Sequence, residues 1–468
     1  MSAMFRSLSA RNYRIWFIGA LVSNAGTWMQ STAQNWVVLT ELTNNDASAV
    51  GITMALQFAP PILLVPLTGW VADRFDRRRV LLLTQSMLAI LGVSIGVLLL
   101  TGLMTLPLMY VFAGALGVIT AFDNPARQAF VSDLVAHENM SNAVALNAAS
   151  FNMSRLVGPA LAGLLIVAVG TGWVFLLNAF TFGAMIVALT LIRVKELTPR
   201  APVGASNRLS EGLRYVAGRP DLLIVFMLVF VVCGFGMNFP IIASTMALEF
   251  GQGADGFGLL NSVLAIGSLT GALLAARRAQ ARVRVVIWGV ALYAIASAVS
   301  AFMPSYWFYA ATLMFTGFAV VTVLTTANAV VQTSTAPALR GRVLALYLAV
   351  AMGGTPLGAP VIGWVAEQWS PRVAILAGAA AAAVVFLIAM VWLSFSGRVR
   401  RTEGSRFKLS LDDTRPIEII APVTFSDELA ASTTPLPLPT RRRARAHERT
   451  HAPAPSPQPA PAGIGVED

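Results

Sequence analysis

Long apolar stretches without a charged residue alternate with short polar connections along most of the chain. Nine charge-free intervals lie between residues 14 and 398, and three of them are divided by turn residues at 101–107, 170–172 and 303–305. A helix of about 20 apolar residues crosses a hydrocarbon core about 30 Å thick. The pattern therefore predicts twelve transmembrane helices, the last ending near Phe395, in an all-α polytopic membrane protein.

Basic residues are divided unevenly between two alternating sets of connections. One set holds 31 of the 33 Lys and Arg residues, the other set holds Arg372 alone, and Arg155 lies inside a span. Cytoplasmic connections carry the excess of Lys and Arg in multi-pass membrane proteins. We therefore expect both termini to be cytoplasmic and the protein to lie in the cell membrane.

The overall composition fits this class and excludes several others. Of the 468 residues, 56% are hydrophobic and 12% are charged, about half the charged share of an average soluble protein. The net charge of +11 then reflects orientation in the membrane rather than a nucleic-acid partner. With one cysteine, three histidines and no phosphate-binding glycine motif, we expect no metal, no cofactor, no use of ATP and no enzymatic activity.

The longest connection between spans divides them six and six. This linker, residues 194–220, contains a predicted short amphipathic helix and separates predicted six-helix bundles at residues 1–193 and 221–395. Residues 141–165 align with residues 341–365 without a gap, which indicates that the two halves repeat. Paired six-helix halves are typical of transporters that rock around a site at the membrane midplane.

Three motifs lie at the ends of spans or within them. The second span is followed by GWVADRFDRRRVL, the fourth ends in AFDNPARQAFVSDLV, and the fifth contains SRLVGPALAG. Together they resemble the major facilitator superfamily, and in particular the enterobactin-exporter-like branch of the drug:proton antiporters. The chain departs from the family pattern where Asp76, Ser154 and Ala162 replace glycines.

The resemblance implies the major facilitator fold and a secondary transporter that exports a small molecule by alternating access. We expect such a protein to act as a monomer. The motifs and their second-half echo, GGTPLGAPVIG, assign close helix packing to Gly69, Gly158, Pro159, Gly163, Gly354, Gly358 and Gly363.

Charged residues within the membrane are costly and are therefore candidates for mechanism. Asp123 and Arg155 lie at similar depths on consecutive spans. We predict that Asp123 either pairs with Arg155 or joins Asp73 and an arginine of the 77–79 run, as a conformational latch or as a static salt bridge. The full predicted latch comprises Asp73, Arg74, Arg77, Arg78, Asp123, Arg127 and Arg155. If protons drive transport, they must use Glu41, Asp123 or Asp73, and otherwise the protein is a facilitator.

Polar residues recur at helical spacing in the first span, and further polar and aromatic residues lie in spans two and seven. These groups either line a substrate cavity for an amphipathic, largely neutral ligand or hydrogen-bond between helices. The candidate cavity residues are Asn24, Trp28, Gln30, Ser31, Gln34, Asn35, Gln57, Phe58, Met237 and Asn238.

The preferred hypothesis is export of a small amphipathic drug or siderophore-like metabolite. A facilitative transporter or importer of a small metabolite is an alternative, as is a membrane enzyme or lipid flippase. The proline- and arginine-rich segment 396–468, which is predicted to be a disordered cytoplasmic tail, also allows a non-transporting sensor or scaffold that acts through this tail.

Overall fold

Helices account for almost all of the described chain, because a backbone in a hydrocarbon core must satisfy its own hydrogen bonds. The computed structural model describes residues 3–197, 209–278, 281–337, 339–395, 400–401 and 409–410. The α-helices within these ranges are α1 Arg11–Thr40, α2 Ala47–Leu63, α3 Val65–Arg74, α4 Arg77–Leu100, α5 Leu106–Asp133, α6 Met140–Val169, α7 Thr171–Leu191, α8 Leu209–Ala217, α9 Pro220–Val231, α10 Phe239–Glu249, α11 Ala254–Ala276, α12 Val283–Ala301, α13 Tyr306–Ser334, α14 Arg340–Gln368 and α15 Pro371–Phe395.

Shorter elements complete the described chain. Three 3₁₀ segments and one π-helical segment lie at Ala3–Ser9, His137–Asn139, Val194–Glu196 and Val232–Gly236. The two-residue strands β1 (Arg400–Arg401) and β2 (Leu409–Ser410) form an antiparallel pair. The other residues of the predicted disordered tail, and residues 198–208 of the predicted linker, lie outside the described part of the chain.

The all-α prediction is confirmed, whereas the number of spans depends on the criterion. Within the described residues, ten helical stretches are long and apolar enough to cross a membrane, and one of them runs through α9, the π-helical segment and α10. α1 has 30 residues but is less apolar because of its polar stripe. The second predicted span is divided into α2, which has 17 residues and contains Pro60 and Pro61, and α3. The lower hydropathy of α1 and the division of the second span account for the difference between ten and the predicted twelve.

The helix ends define two sides of the protein. On one side, which we call the arginine-rich side, Asn12 hydrogen-bonds the backbone of Arg193, and Arg77 contacts the end of α5. On the other side, which we call the opposite side, Glu41 accepts a hydrogen bond from Thr171 at the start of α7.

The two halves of the sequence meet closely near the opposite side. α2 packs on α14, where a Cβ at Gly51 would lie 2.5 Å from a backbone carbonyl oxygen of α14. α6 packs on α11, where a Cβ at Gly163 would lie 2.6 Å from a carbonyl oxygen of α11. Trp36 of α1 stacks on Phe257 of α11, with 5.9 Å between the ring centroids. Small residues therefore bring the backbones of the two halves together here.

One face of α6 packs against α11 at one end and is exposed at the other. Near the opposite side, Pro159 and Gly163 on this face approach the backbone of α11. Toward the arginine-rich side, Ser141 and Ala148 on the same face are exposed, and Leu348 of α14 is also exposed. The two halves therefore close on the opposite side and separate toward the arginine-rich side. We call the space between them the crevice.

Candidate functional site

A buried charge cluster joins α1, α4 and α5. The side chain of Asp123 on α5 accepts hydrogen bonds from Thr84 Oγ1 at 2.6 Å and from Gln85 Nε2 at 2.8 Å. Nε of Arg127, one turn further along α5, lies 3.1 Å from the second carboxylate oxygen. Arg127 also donates from Nη1 to Asn24 Oδ1 on α1 at 3.3 Å. Thr84, Gln85 and Arg127 thus donate to the carboxylate of Asp123, and Arg127 extends the cluster to Asn24.

Arg155 lies outside this cluster. Asp123 is paired with Arg127 on its own helix, so the predicted direct pair between Asp123 and Arg155 is not formed in this conformation. The guanidinium Cζ of Arg155 instead lies 5.7 Å from the ring centroid of Trp28. Trp28 meets Phe151 edge-on, with 5.7 Å between their centroids. Arg155 makes no hydrogen bond or ion pair with the residues that the structure describes.

The arginines that follow the second span bind helix ends rather than Asp123. Arg77 donates to Asp133 Oδ1 at 2.7 Å and to the carbonyl oxygen of Ala129 at 3.1 Å, so it links the start of α4 to the end of α5. Nε of Arg78 donates to the carbonyl oxygen of Leu189 at 2.7 Å, near the last turn of α7. A cation at a helix C-terminus is favoured by the helix dipole and by the free carbonyls.

Arg74 of the predicted latch makes no contact with the cluster among the described residues. The guanidinium of Arg74 lies over the exposed ring of Trp70, with 5.7 Å from Cζ to the ring centroid. Asp73 is in α3, and its side chain lies outside the described part of the structure. The arrangement thus divides the predicted latch into a buried cluster, a set of helix-end contacts and an isolated Arg155.

Three polar residues at these contacts were absent from the sequence-based site. Thr84 and Gln85 are adjacent polar positions in the mostly apolar α4, and Asp133 lies near the end of the fourth-span motif that contains Asp123. Polar residues in a membrane helix are a signal for interhelical contacts. That signal was available for these three residues, but their partners depend on the packing of α4 against α5.

The motif glycines of spans five and eleven sit at close contacts between helices. A Cβ at Gly158 would lie 2.6 Å from Cβ of Trp28, and one at Gly163 would meet α11. In α14, Cβ atoms at Gly354 and Gly358 would collide with the backbone of the π-helical segment at Gly234.

Two further contacts complete this set, and one predicted contact is missing. A Cβ at Gly363 would lie 2.5 Å from a backbone oxygen of α2, and the carbonyl oxygen of Pro159 approaches Gly258 of α11. By contrast, a Cβ at Gly69 would find no described atom within 4 Å, because the arginine-rich side is open at this position. The close helix approach expected at Gly69 is therefore not formed in this conformation.

Much of the polar stripe connects helices instead of lining the crevice. Gln30 is buried and accepts a hydrogen bond from Asn178 on α7. Gln34 is also buried and donates to Gln57 on α2 at 3.1 Å. Asn238 is fully buried, and its amide donates to the carbonyl oxygen of Thr355 on α14 at 3.2 Å. We therefore assign these positions to hydrogen bonds between helices and not to the lining of a substrate cavity.

The remaining candidate cavity residues divide by burial. Asn35 is 4% exposed, so it is enclosed by neighbouring helices. Ser31, Phe58 and Met237 are half-buried, as are Asn24 and Trp28. The last two lie one turn apart on α1, beside Arg127 and Arg155 respectively.

On the opposite side, acidic residues hold the closed ends of the helices. Glu41 is exposed and accepts from Thr171 Oγ1 at 3.0 Å. Glu367 Oε2 accepts from the backbone N–H of Ala47 at 2.9 Å, a bond between the two halves at the start of α2. Arg372 pairs with Glu249 at 2.5 Å. These contacts bind the helix ends but form no enclosed site.

No site for a metal ion is present in the described residues, since no three side chains of His, Cys, Asp or Glu come together there. A small cavity of about 20 Å³ lies within the second half, between α10, α12, α13 and α15. It is bordered by Ser297, Thr316 and Tyr309, and the buried hydroxyl of Tyr309 has no hydrogen-bond partner among the residues described. The volume is sufficient for about one water molecule and too small for an organic substrate.

Comparison with known proteins places the whole membrane part in one family. A family model described as "Transmembrane secretion effector", one of the major facilitator families, matches residues 2–410. The chain is 26% identical to the multidrug efflux pump Tap of Mycolicibacterium fortuitum over 74% of this chain and 87% of the relative. It is 24% identical to the enterobactin exporter EntS of Shigella flexneri over 75% of this chain and 85% of the relative.

Two further similarities concern only part of the chain or only its fold. The chain is 24% identical to the staphyloferrin A transporter of Staphylococcus aureus over 56% of this chain, and the match spans 66% of that transporter, just under two thirds of its length. Among solved structures, a bacterial homologue of the human lysosomal transporter Spinster, in an inward-facing and unoccupied conformation, aligns with a TM-score of 0.63. This alignment has 15% identity and covers 82% of this chain and 98% of the other, so it concerns the fold alone.

Proposed function

Since the chain belongs to the transmembrane secretion effector family of the major facilitator superfamily, we propose that it exports a small amphipathic drug or siderophore-like metabolite by alternating access. It is a multi-pass membrane transporter and not an enzyme. The proposed substrate and direction rest on the crevice, together with the drug and siderophore transport named for relatives.

The observation that supports export is the geometry of the crevice relative to the basic residues. The crevice opens toward the arginine-rich side, and this side is cytoplasmic if the positive-inside rule holds. A substrate from the cytoplasm would then enter the crevice directly, and the contacts around Gly163 and Glu367 would have to break before release outside. We place both termini in the cytoplasm and regard the monomer as the transporting unit.

The buried cluster supports a role in holding the first half together during this cycle. Asp123 and Arg127 tie α5 to α4 and α1, whereas Arg77 and Asp133 tie the ends of α4 and α5. We propose that the two-part cluster keeps these helices together as a rigid unit while the halves move. Proton coupling, if it operates, uses Glu41, Asp123 or Asp73.

Export is tested in cells that lack or overproduce the full chain. Cells are profiled for tolerance to amphipathic drugs and for secreted metabolites, and each affected compound is then followed in inside-out membrane vesicles. We expect uptake into these vesicles by the natural protein and by Gly183→Ala, since a Cβ at Gly183 meets no atom within 4 Å. A Gly163→Leu variant of equal abundance should transport poorly, because its side chain would meet the backbone of α11.

The alternatives give different results in the same assays. Uptake into right-side-out vesicles but not into inside-out vesicles would identify an importer. Transport that is unchanged when the proton gradient is collapsed would identify a facilitator. A phenotype that disappears when residues 397–468 are removed, with no transport by the full chain, would identify a sensor or scaffold instead of an exporter.

A further inference from the structure

Arg155 is a charged side chain deep in the protein with no opposite charge beside it. It lies 15 residues after the start of α6 at Met140, which corresponds to about 22 Å along the helix. Its guanidinium forms no hydrogen bond or ion pair with the described residues. Burying an ionisable group at such a depth costs free energy, and residues of this kind are therefore candidates for a functional role.

The side chain faces the crevice and not the lipid. Met153, Val157 and Leu161 form the exposed apolar face of α6, where they are 53%, 39% and 40% exposed. Arg155 lies on the other side of the helix, in line with Ala148, which is exposed to the crevice. The guanidinium can therefore be reached from the arginine-rich side without passing through lipid.

Two aromatic rings complete the surroundings of this guanidinium. Trp28 lies under Arg155, and Phe151, one turn before Arg155 on α6, meets Trp28 edge-on. Gly158 makes the position of Trp28 possible, because a larger residue there would collide with Cβ of Trp28, 2.6 Å from the glycine's missing Cβ. The packing glycine of the fifth span thus positions an aromatic surface beside a free positive charge.

The second arginine nearby does not compete for an anion. Arg127 is 14% exposed and is already neutralised by Asp123. Its other side-chain hydrogen bond is donated to Asn24, which lies one turn before Trp28 on α1. The part of the crevice next to Trp28 therefore carries the uncompensated charge of Arg155, beside a partly exposed ring surface.

We propose that Arg155, Trp28 and Phe151 form the recognition site for an organic anion, a planar aromatic carboxylate or a similar oxyanion, within the exporter proposed above. The guanidinium fork binds the two oxygens of such a group, and the rings pack against its flat apolar part. This differs from the largely neutral ligand that the sequence alone predicted. The inference rests on the proposed function only in treating the bound anion as a transported substrate. Binding itself can be tested without transport.

Binding is measured by calorimetry on the purified full-length protein with a matched pair of probes, 2-naphthoate and 2-naphthamide. The probes share one ring system and differ in charge. We expect the natural protein to bind the anion about tenfold or more tightly than the amide, as a charge-assisted hydrogen bond would give. Arg155→Gln should remove this preference and leave binding of the amide unchanged. Arg155→Lys should keep part of it, because the charge remains and the fork is lost.

Controls separate the site from general effects. Arg193→Gln removes a charge that is 60% exposed and paired with Glu196, and it should bind both probes as the natural protein does. Trp28→Leu should weaken both probes, which a purely electrostatic site would not do. Unfolding temperatures of all variants establish that each is folded, and the lysine variant remains informative if the glutamine variant is not.

Several outcomes would overturn the inference. One is equal binding of the anion by the natural protein and by Arg155→Gln. Another is a preference of the natural protein for the amide. A third is Arg155-dependent binding of phosphatidylglycerol without any binding of 2-naphthoate, which would assign Arg155 to a lipid phosphate. If the anion binds through Arg155 but no compound is transported in vesicles, the proposed export is refuted and the binding site stands. If a compound is exported equally well by the natural protein and by Arg155→Gln, this site is refuted and the proposed export stands.

Discussion

Replacing Asp123 with asparagine tests whether the buried cluster stabilises the first half of the protein. The change preserves the shape of the side chain and leaves an oxygen acceptor for Thr84 and Gln85, but it removes the counter-charge of Arg127. The side chains of Arg127 and Asp123 are 14% and 4% exposed, so water has little access to replace the lost partner.

The size of the effect follows from this geometry. Two opposite charges about 4 Å apart attract each other by about 4 kcal/mol at an effective dielectric constant of about 20. Removing one partner of a buried pair costs about 3–5 kcal/mol, because the other charge stays buried without compensation. Asn24 still accepts a hydrogen bond from Arg127. We therefore expect Asp123→Asn to lower the free energy of unfolding by about 3 kcal/mol, at the low end of this range.

The assay is equilibrium unfolding of the purified full-length protein in detergent, with two matched variants. Glu196→Gln removes one partner of a pair whose side chains are 60% and 46% exposed, and it should cost less than about 1 kcal/mol. The double variant Asp123→Asn, Arg127→Gln should regain most of the loss, because no charge is left buried alone. The reasoning is refuted if Asp123→Asn is as stable as Glu196→Gln, or if the double variant is less stable than the single one.

Two further predictions concern the second half and the contact between halves. Tyr309→Phe should change the free energy of unfolding by less than about 0.5 kcal/mol, since the hydroxyl has no partner in the described part of the chain. Tyr306→Phe should cost about 1 kcal/mol, since its hydroxyl donates to a backbone carbonyl at 2.8 Å. Equal costs in the same unfolding assay would contradict this. Gly163→Leu should open the opposite side and increase the labelling rate of a cysteine placed at the start of α2, whereas Gly183→Ala should not, because the first missing Cβ lies 2.6 Å from a carbonyl oxygen and the second has no neighbour within 4 Å. Identical labelling of the two glycine variants would show that this contact does not keep the side closed.

The helical layout could be predicted because it depends on local properties of the chain. Charge-free length identifies a span, and turn residues such as Pro107 and Gly170 mark where it ends. The family could also be identified from short motifs. The interruption of the seventh span by a π-helical segment at Val232–Gly236 could not, since it arises where Gly234 lies against Gly358 of another helix.

Membership of the candidate site was harder to predict than its general location. The sequence put Asp123 and Arg155 at similar depths, but depth alone does not determine which way a side chain points around the helix. The structure turns Asp123 toward α4 and Arg155 toward Trp28. Likewise Gln30 and Gln34 have the spacing of cavity residues, yet helix packing turns both into interhelical hydrogen bonds.

The empty surroundings of Gly69 have a consequence for protein engineering. The proposed alternating access requires the arginine-rich side to close at some stage, and Gly69 lies in the motif where the family resemblance expects that contact. A leucine at this position meets no atom within 4 Å of its Cβ in the present conformation, so a screen for thermal stability would accept it. Directed evolution for stability alone would thus not remove transporters that remain in one state and no longer turn over.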